Sequence, residues 1–364
     1  MKYKYVVVGA GLAGLTAAER IAEVLDEEVL VIEKRSHIGG NVYDSYDEEG
    51  ILIHNYGPHI FHTNDKEVFE YLSRFTPWHH FWHRVLTYVD GNLVPMPITV
   101  ETINKIYNLN LSCFDVEEFL KKQAVSMDEV STSKDVALSK VGEDLYKKIF
   151  ENYTRKQWGV DPAELDTSVI SRIPIRANRD TRYFNDTYQG MPKYGYAKMC
   201  QNMISNKKIK VMLNTDYKEI IGDLEYDKLI YTGPTDYFYD YKHGKMAYRS
   251  IDFQFETYSK EEYQEAPVVN YPNDYDFTRI TEFKKLTGQE HKKTTILKEF
   301  PTSEGEPYYP FPTKEYQEQF RLYQAEMKKE EKVVFLGRLA EYRYYNMDGV
   351  VRRVLNAFGG GFRG

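Results

Sequence analysis

At 364 residues the chain exceeds the ~100–200 residues of one ordinary domain and has room for two or three cores. With 42% hydrophobic and 28% charged residues it reads as globular, which excludes a disordered or low-complexity chain. Forty-eight basic against 55 acidic residues leave a formal charge of −7, so no global field gathers nucleic acid, and an anionic ligand needs local cations.

The stretch Tyr3-Lys4-Tyr5-Val6-Val7-Val8 has the β-branched, apolar character of a buried strand; glycines follow, and from Leu12 to Leu25 apolar positions recur at helical spacing. Val29-Leu30-Val31-Ile32 makes a second buried strand, so the chain opens with a compact βαβ unit. Gly9, Gly11 and Gly14 form GxGxxG between the first strand and the helix, where missing Cβ atoms let the backbone turn tightly and approach a pyrophosphate set on the helix N-terminus. Glu33, at the end of the second strand, is placed to accept hydrogen bonds from an adenosine ribose, and a dinucleotide is the expected ligand. The start has neither the basic n-region nor the cleavable apolar region of a secretion signal, and no run reaches the ~20 apolar residues a bilayer span needs. A cytoplasmic location without membrane insertion is therefore expected.

The run Glu33-Lys34-Arg35-Ser36-His37-Ile38-Gly39-Gly40-Asn41 resembles FAD enzymes of the amine-oxidase-like superfamily, in which a glycine pair follows the ribose-binding acid. The resemblance implies FAD rather than NAD, with Lys34, Gly40 and Asn41 beside the cofactor. His54, His59 and His62 then fall within nine residues. Imidazoles are common metal ligands, but no paired carboxylate or cysteine accompanies them, and no metal is expected. Cys113 and Cys200 are far apart and lack CxxC or Cys/His spacing, so neither a disulfide framework nor a zinc site is expected.

Beyond Ile98 come charged, helix-favouring stretches such as Glu143-Asp144-Leu145-Tyr146-Lys147-Lys148-Ile149-Phe150. Residues 246–311 instead show short alternating runs, Ser250-Ile251-Asp252-Phe253-Gln254-Phe255-Glu256 among them, separated by Pro, Asn and Gly. Lys332-Val333-Val334-Phe335-Leu336 returns as a buried strand. The expected fold class is α/β: a discontinuous Rossmann-like FAD-binding domain from residues 1–80, 190–245 and 315–364, a helical insert over 98–165, and an antiparallel β-sheet domain from 81–97, 166–189 and 246–314.

The segment Gly57-Pro58-His59-Ile60-Phe61-His62-Thr63 resembles bacterial-type UDP-galactopyranose mutases, and further blocks match that family in order along nearly the whole chain. These include Tyr153-Thr154-Arg155-Lys156-Gln157-Trp158-Gly159, Ser171-Arg172-Ile173-Pro174-Ile175-Arg176, Tyr188-Gln189-Gly190-Met191-Pro192, Tyr248-Arg249-Ser250, Thr278-Arg279-Ile280-Thr281-Glu282, Tyr308-Tyr309-Pro310 and Gly337-Arg338-Leu339. A UDP-sugar presents a flat base, a charged diphosphate and a hydroxyl-rich ring, which call for aromatic stacking, arginines and polar tips. The 32 Tyr, 19 Phe and 3 Trp supply such surfaces, although many pack cores. The resemblance implies that Tyr153 stacks on uracil with Phe150, Trp158 and Asn270 around it. It implies that Arg172 and Arg279 clamp the diphosphate, and that Arg249, Tyr183, Tyr309 and Tyr344 complete the substrate site. His59, His62, Arg338 and Met347 are expected beside the flavin, with Arg338 favouring its anionic reduced form.

The activity so implied interconverts UDP-galactopyranose and UDP-galactofuranose with no net redox change. N5 of reduced FAD attacks the anomeric carbon and expels UDP, giving a covalent adduct, so that catalytic roles fall to Arg172, Arg279, His62 and Arg338 as orienting groups. A homodimer is expected by the same resemblance, and Arg172 is expected on a loop that closes over substrate. A redox flavoenzyme of the same superfamily, which would share residues 1–41 and little else, and a non-catalytic binding module stay open. Two positions depart from the family pattern: Asn346 stands where an aspartate is common, with Asp348 a candidate to compensate, and His83 stands where a small polar residue is expected.

Overall fold

Val6, Val7 and Val8 and the whole of Val29–Ile32 are buried, as parallel strands covered on both faces must be. In the computed structural model, which describes residues 2–359, they form the centre of a five-stranded parallel sheet. Its strands run in the order Ile209–Met212, Val29–Ile32, Lys2–Val8, Glu225–Tyr231 and Val333–Phe335. Strands from the start, middle and end of the chain thus lie side by side, so this layer is discontinuous. Helices Leu12–Val24, Tyr196–Met203 and Met347–Gly359 contribute Leu15, Ile21, Met199, Cys200, Val351 and Val354 to the core over one face. Met1 and residues 360–364, assigned from sequence to this layer, lie outside the described residues.

The second layer is a seven-stranded sheet built from 85–96 and 248–310. Its pairings are antiparallel, as expected, except that Val268–Asn270 lies parallel to Val85–Val89, where a distant hairpin joins the sheet. Between the layers the strands Phe61–Thr63 and Trp78–His80 both pair with Tyr188–Pro192.

The helical insert runs through Val100–Tyr107, Cys113–Gln123, Ser133–Leu145 and Asn152–Trp158. Ser112 with Asp115, and Thr132 with Asp135, satisfy each other's helix-start N–H groups in capping boxes. A wide π-helical turn over Tyr146–Glu151 precedes the last of these helices and brings Phe150 and Tyr153 to one cavity wall. No helix among the described residues is long and apolar enough to cross a membrane.

Two buried histidines and one buried carboxylate make stability depend on pH. Burial holds His54 down to about 3 and, with Arg279 and His62 adding to it, His83 down to about 3. Unfolded histidine titrates near 6.5, and His59, held down to about 4, adds to this pair, so below 6.5 the unfolded chain binds up to three more protons at these sites and the stability present above 6.5 is lost as pH falls. Asp44 opposes this. It accepts the first N–H groups of helix Tyr196–Met203, and burial raises it to about 6. Below about pH 6 the folded chain therefore holds one extra proton, which offsets one histidine. The melting temperature is expected to fall between pH 6.5 and 5, and to fall less in His54→Gln.

Candidate functional site

Gly9 lies at φ +98°, in the left-handed region that favours glycine, and hands the chain from the first strand to a helix whose N-cap, Gly11, offers no side chain. Gly14 sits one turn inside that helix, where a Cβ would come 1.9 Å from the Gly9 carbonyl oxygen. The helix therefore packs against the strand turn at a distance only glycine allows, and its first N–H groups face a cavity of about 840 Å³. Gly9, Gly11, Glu33, Lys34, Gly40 and Asn41 line that cavity; Gly14 does not, and acts through packing.

Glu33, buried at 6% exposure, accepts the N–H of Ala10 (2.7 Å) and of Arg35 (2.9 Å), one on each oxygen, which pins its carboxylate at the cavity edge. Lys34 Nζ reaches Glu306 at 3.2 Å, as does an Arg35 nitrogen, so the segment before Tyr308 is strapped across the same cavity. A glycine cradle, uncapped helix N–H groups and a ribose-height carboxylate fit the diphosphate and adenosine of a dinucleotide.

A second cavity, of about 230 Å³, lies between the helical insert and the seven-stranded sheet. Phe150, Tyr153, Trp158, Arg172, Tyr183, Asn270, Arg279, Tyr309 and Tyr344 all line it, with His62. His59, Arg338 and Met347 line both cavities and form the wall where they meet. Thirteen of the residues expected around substrate and flavin ring thereby line one cavity, which adjoins the glycine-lined one.

Arg249 is the exception. Its guanidinium donates to the carbonyls of Gln157 (2.9 Å) and Lys156 (3.2 Å) at the end of helix Asn152–Trp158, and it lines neither cavity. In this structure the arginine caps otherwise orphan helix carbonyls rather than facing the cavity with the other expected substrate residues. Asp348 is also engaged elsewhere, accepting from the Thr63 hydroxyl at 2.9 Å, so it does not stand in for the family aspartate; Asn346 itself lines the cavity.

The cations are held with care. Arg279 and Glu299 face each other across neighbouring strands, and Glu299, with no exposed surface, takes Nε at 2.7 Å. That leaves the two terminal nitrogens of Arg279 for the cavity. Burial opposes the charge, but Glu299 and Tyr153 raise the guanidinium above its ordinary range. Arg172 follows the short helix Ser168–Ser171 and already points inward, donating to Tyr344 Oη at 3.0 Å. Arg338 donates to the Tyr308 carbonyl at 3.1 Å and lies over the rings of Tyr309 and Tyr344.

Tyr344 reports the resulting field. Although 44% of its surface is open, desolvation pushes its phenol up; Arg172, Arg338 and Arg279 outweigh that and hold it below an ordinary phenol. The three arginines give the pocket a positive field. Enclosure, with Arg338 and Arg279, pushes His59 down to about 4, so it remains neutral at pH 7.

Three residues of the site carry no motif in the sequence: Glu299 behind Arg279, Phe184 stacked on His62, and Asp186 bonded to His62. Among the described residues no group of three or more His, Cys, Asp or Glu could hold a metal ion.

Known proteins are similar to this chain in sequence and in fold. The sequence profile of UDP-galactopyranose mutase matches residues 148–344, and that of a NAD(P)-binding Rossmann-like domain matches residues 7–75. The chain belongs to the UDP-galactopyranose mutase family. Within that family it is 32% identical to the UDP-galactopyranose mutase of Mycoplasma genitalium over 373 aligned residues, covering 96% of this chain and 92% of that one. It is also 35% identical to the dTDP-fucopyranose mutase of Escherichia coli over 364 residues, covering 97% and 96%. The crystal structure of a reduced UDP-galactopyranose mutase superposes with a TM-score of 0.80 at 18% identity, over 99% of this chain and 96% of that one. Putrescine oxidase shares the fold more loosely, at a TM-score of 0.58 and 12% identity over 99% of each chain. As a UDP-galactopyranose mutase family member the chain is an isomerase.

Proposed function

We propose that this isomerase interconverts UDP-galactopyranose and UDP-galactofuranose on reduced FAD, held as the resemblance implies. The observation that carries this is the junction of the two cavities: a dinucleotide cradle and an arginine-rich anion receptor meet at His59, Arg338 and Met347. Bound and reduced, the flavin would supply a nucleophilic N5 towards the anomeric carbon.

Everything else falls to the chain. Phe150, Tyr153 and Trp158 offer aromatic faces to the base. Arg172 and Arg279 hold the diphosphate both as part of the substrate and as the departing UDP, so that it stays placed for return. Arg338 puts a fixed cation at the junction, where it stabilises a reduced anionic flavin. Arg338→Ala is expected to lower the flavin midpoint potential, by roughly 30 mV for each ~1.4 kcal/mol of lost stabilisation of the two-electron form; photometric titration against a reference dye checks it, and an unchanged potential counts against the role.

The family resemblance also carries a homodimer and a cytoplasmic place of action, tested by sedimentation and fractionation. The 35% match to a dTDP-fucopyranose mutase favours a second nucleotide sugar, dTDP-fucose, and the imidazole of His83 lines the same cavity. The ratio of kcat/KM for the two substrates separates them. Incubating the dithionite-reduced protein with each furanose and following the pyranose by chromatography tests the activity itself.

A further inference from the structure

His62 sits on strand Phe61–Thr63 opposite Gln189, and that pairing brings the turn at residues 184–187 alongside its imidazole. Oδ2 of Asp186 lies 3.0 Å from His62 Nδ1, while Oδ1 accepts from Asn64 Nδ2 at 3.1 Å. Asn64 Oδ1 in turn accepts the N–H and hydroxyl of Thr187 at 2.9 and 3.1 Å. Gln189 Nε2 donates to the backbone carbonyls of Asp186 (2.8 Å) and Phe184 (3.3 Å), which anchors the backbone that carries the carboxylate. Phe184 stacks on the imidazole with centroids 3.6 Å apart and 12° between planes, which stops the ring from tilting.

A carboxylate can only accept, so Nδ1 carries a proton, and in the neutral imidazole the lone pair then lies on Nε2. His62 lines the nucleotide-sugar cavity, and with Nδ1 engaged, Nε2 is the nitrogen left for a ligand. Of the other two histidines of that cavity, His59 has Nδ1 2.8 Å from a neutral acceptor, the Gly57 carbonyl oxygen, rather than a carboxylate, and His83 Nδ1 has no partner.

We propose that Asp186 is a positioning residue that makes His62 the proton relay of the ring interconversion. This rests on the site being that of a nucleotide-sugar mutase. Turning a six-membered sugar ring into a five-membered one removes a proton from one hydroxyl and places one on the former ring oxygen, with no net gain. As the bond between the anomeric carbon and the ring oxygen breaks and that hydroxyl's oxygen takes its place on the carbon, the hydroxyl's O–H bond breaks, Nε2–H forms, and the imidazolium is steadied by the Asp186 carboxylate. Nε2–H then breaks as the new O–H bond forms on the former ring oxygen, and His62 returns neutral.

The test uses flavin-loaded enzyme with Asp186→Asn, Asp186→Glu, His62→Gln and the Asn/Gln double variant. An amide at 186 can donate to Nδ1 and tip the imidazole to the Nε2–H tautomer. Asp186→Asn should lose roughly 10–100-fold in kcat with KM, UDP affinity and flavin content unchanged, Asp186→Glu should recover part of it, and the double variant should match His62→Gln. In ¹⁵N spectra His62 Nε2 should be unprotonated in the wild type and protonated in Asp186→Asn. Wild-type kcat in Asp186→Asn, losses that multiply in the double variant, or a wild-type proton on Nε2 would overturn the proposal. A wild type that turns over neither furanose overturns the mutase assignment instead, and the ¹⁵N spectrum then decides the positioning of His62 by itself.

Discussion

Arg279→Ala is expected to weaken UDP binding roughly thirtyfold or more and to destabilise the fold by about 3–5 kcal/mol, two losses with different causes. Binding suffers because the terminal nitrogens of Arg279 face the anion cavity and nothing else in that strand replaces them. Stability suffers because Glu299, with no exposed surface and its second oxygen already unpartnered, is left as a lone buried charge. Removing both charges separates the two effects. Arg279→Met/Glu299→Leu should regain most of the melting temperature, since a buried pair exchanged for apolar residues of similar volume is often close to neutral, yet bind UDP as weakly as the single variant. Calorimetric titration with UDP and thermal unfolding of the three proteins check this; tight UDP binding by the double variant would show that Arg279 serves the fold alone.

The glycine turn offers the second large effect, and its two members should fail differently. Gly14→Ala places a methyl 1.9 Å from the Gly9 carbonyl oxygen and 3.2 Å from Val7 Cγ1, so helix and strand must part; a loss of ~4 kcal/mol or more is expected. Gly11 has extended backbone, φ −76° and ψ −179°, and an added Cβ would meet only Gly40 Cα at 3.8 Å, an ordinary contact. Gly11→Ala should therefore fold with a near-native apoprotein melting temperature and lose its flavin, because the methyl stands where the pyrophosphate approaches the backbone. Flavin absorbance per polypeptide and circular-dichroism melts decide between them. A Gly11→Ala protein with full flavin content would contradict the assignment of this cavity to the dinucleotide.

Local patterns carried much of this architecture. GxGxxG and Glu33 could be read from sequence because strand, turn and helix are neighbours in the chain, and the two halves of the cradle lie within one βαβ unit. Arg172, Arg279 and Tyr344 were reached through the family resemblance, and the structure brings them to one cavity. Asp186 and Glu299 were not visible, since each acts on a partner set by strand register, His62 through the pairing with Gln189 and Arg279 through the pairing with Glu299, and register across distant segments leaves no local pattern. Arg249 stands apart from the cavity for a related reason. Its flanking block looks like a site arginine, but only the packing of strand Tyr248–Tyr258 against helix Asn152–Trp158 shows which carbonyls claim it. The parallel junction between Val268–Asn270 and Val85–Val89 joins segments far apart in the chain, and alternation alone cannot tell it from an antiparallel pair.

The most direct test of the whole proposal is a single-turnover comparison of photoreduced and oxidised protein with UDP-galactofuranose, scored by chromatography. The reduced protein is expected to yield UDP-galactopyranose with no reductant consumed in step with product, and the oxidised protein to yield essentially none. Equal conversion in both states, or none in either with UDP-galactose and dTDP-fucose alike, would contradict it.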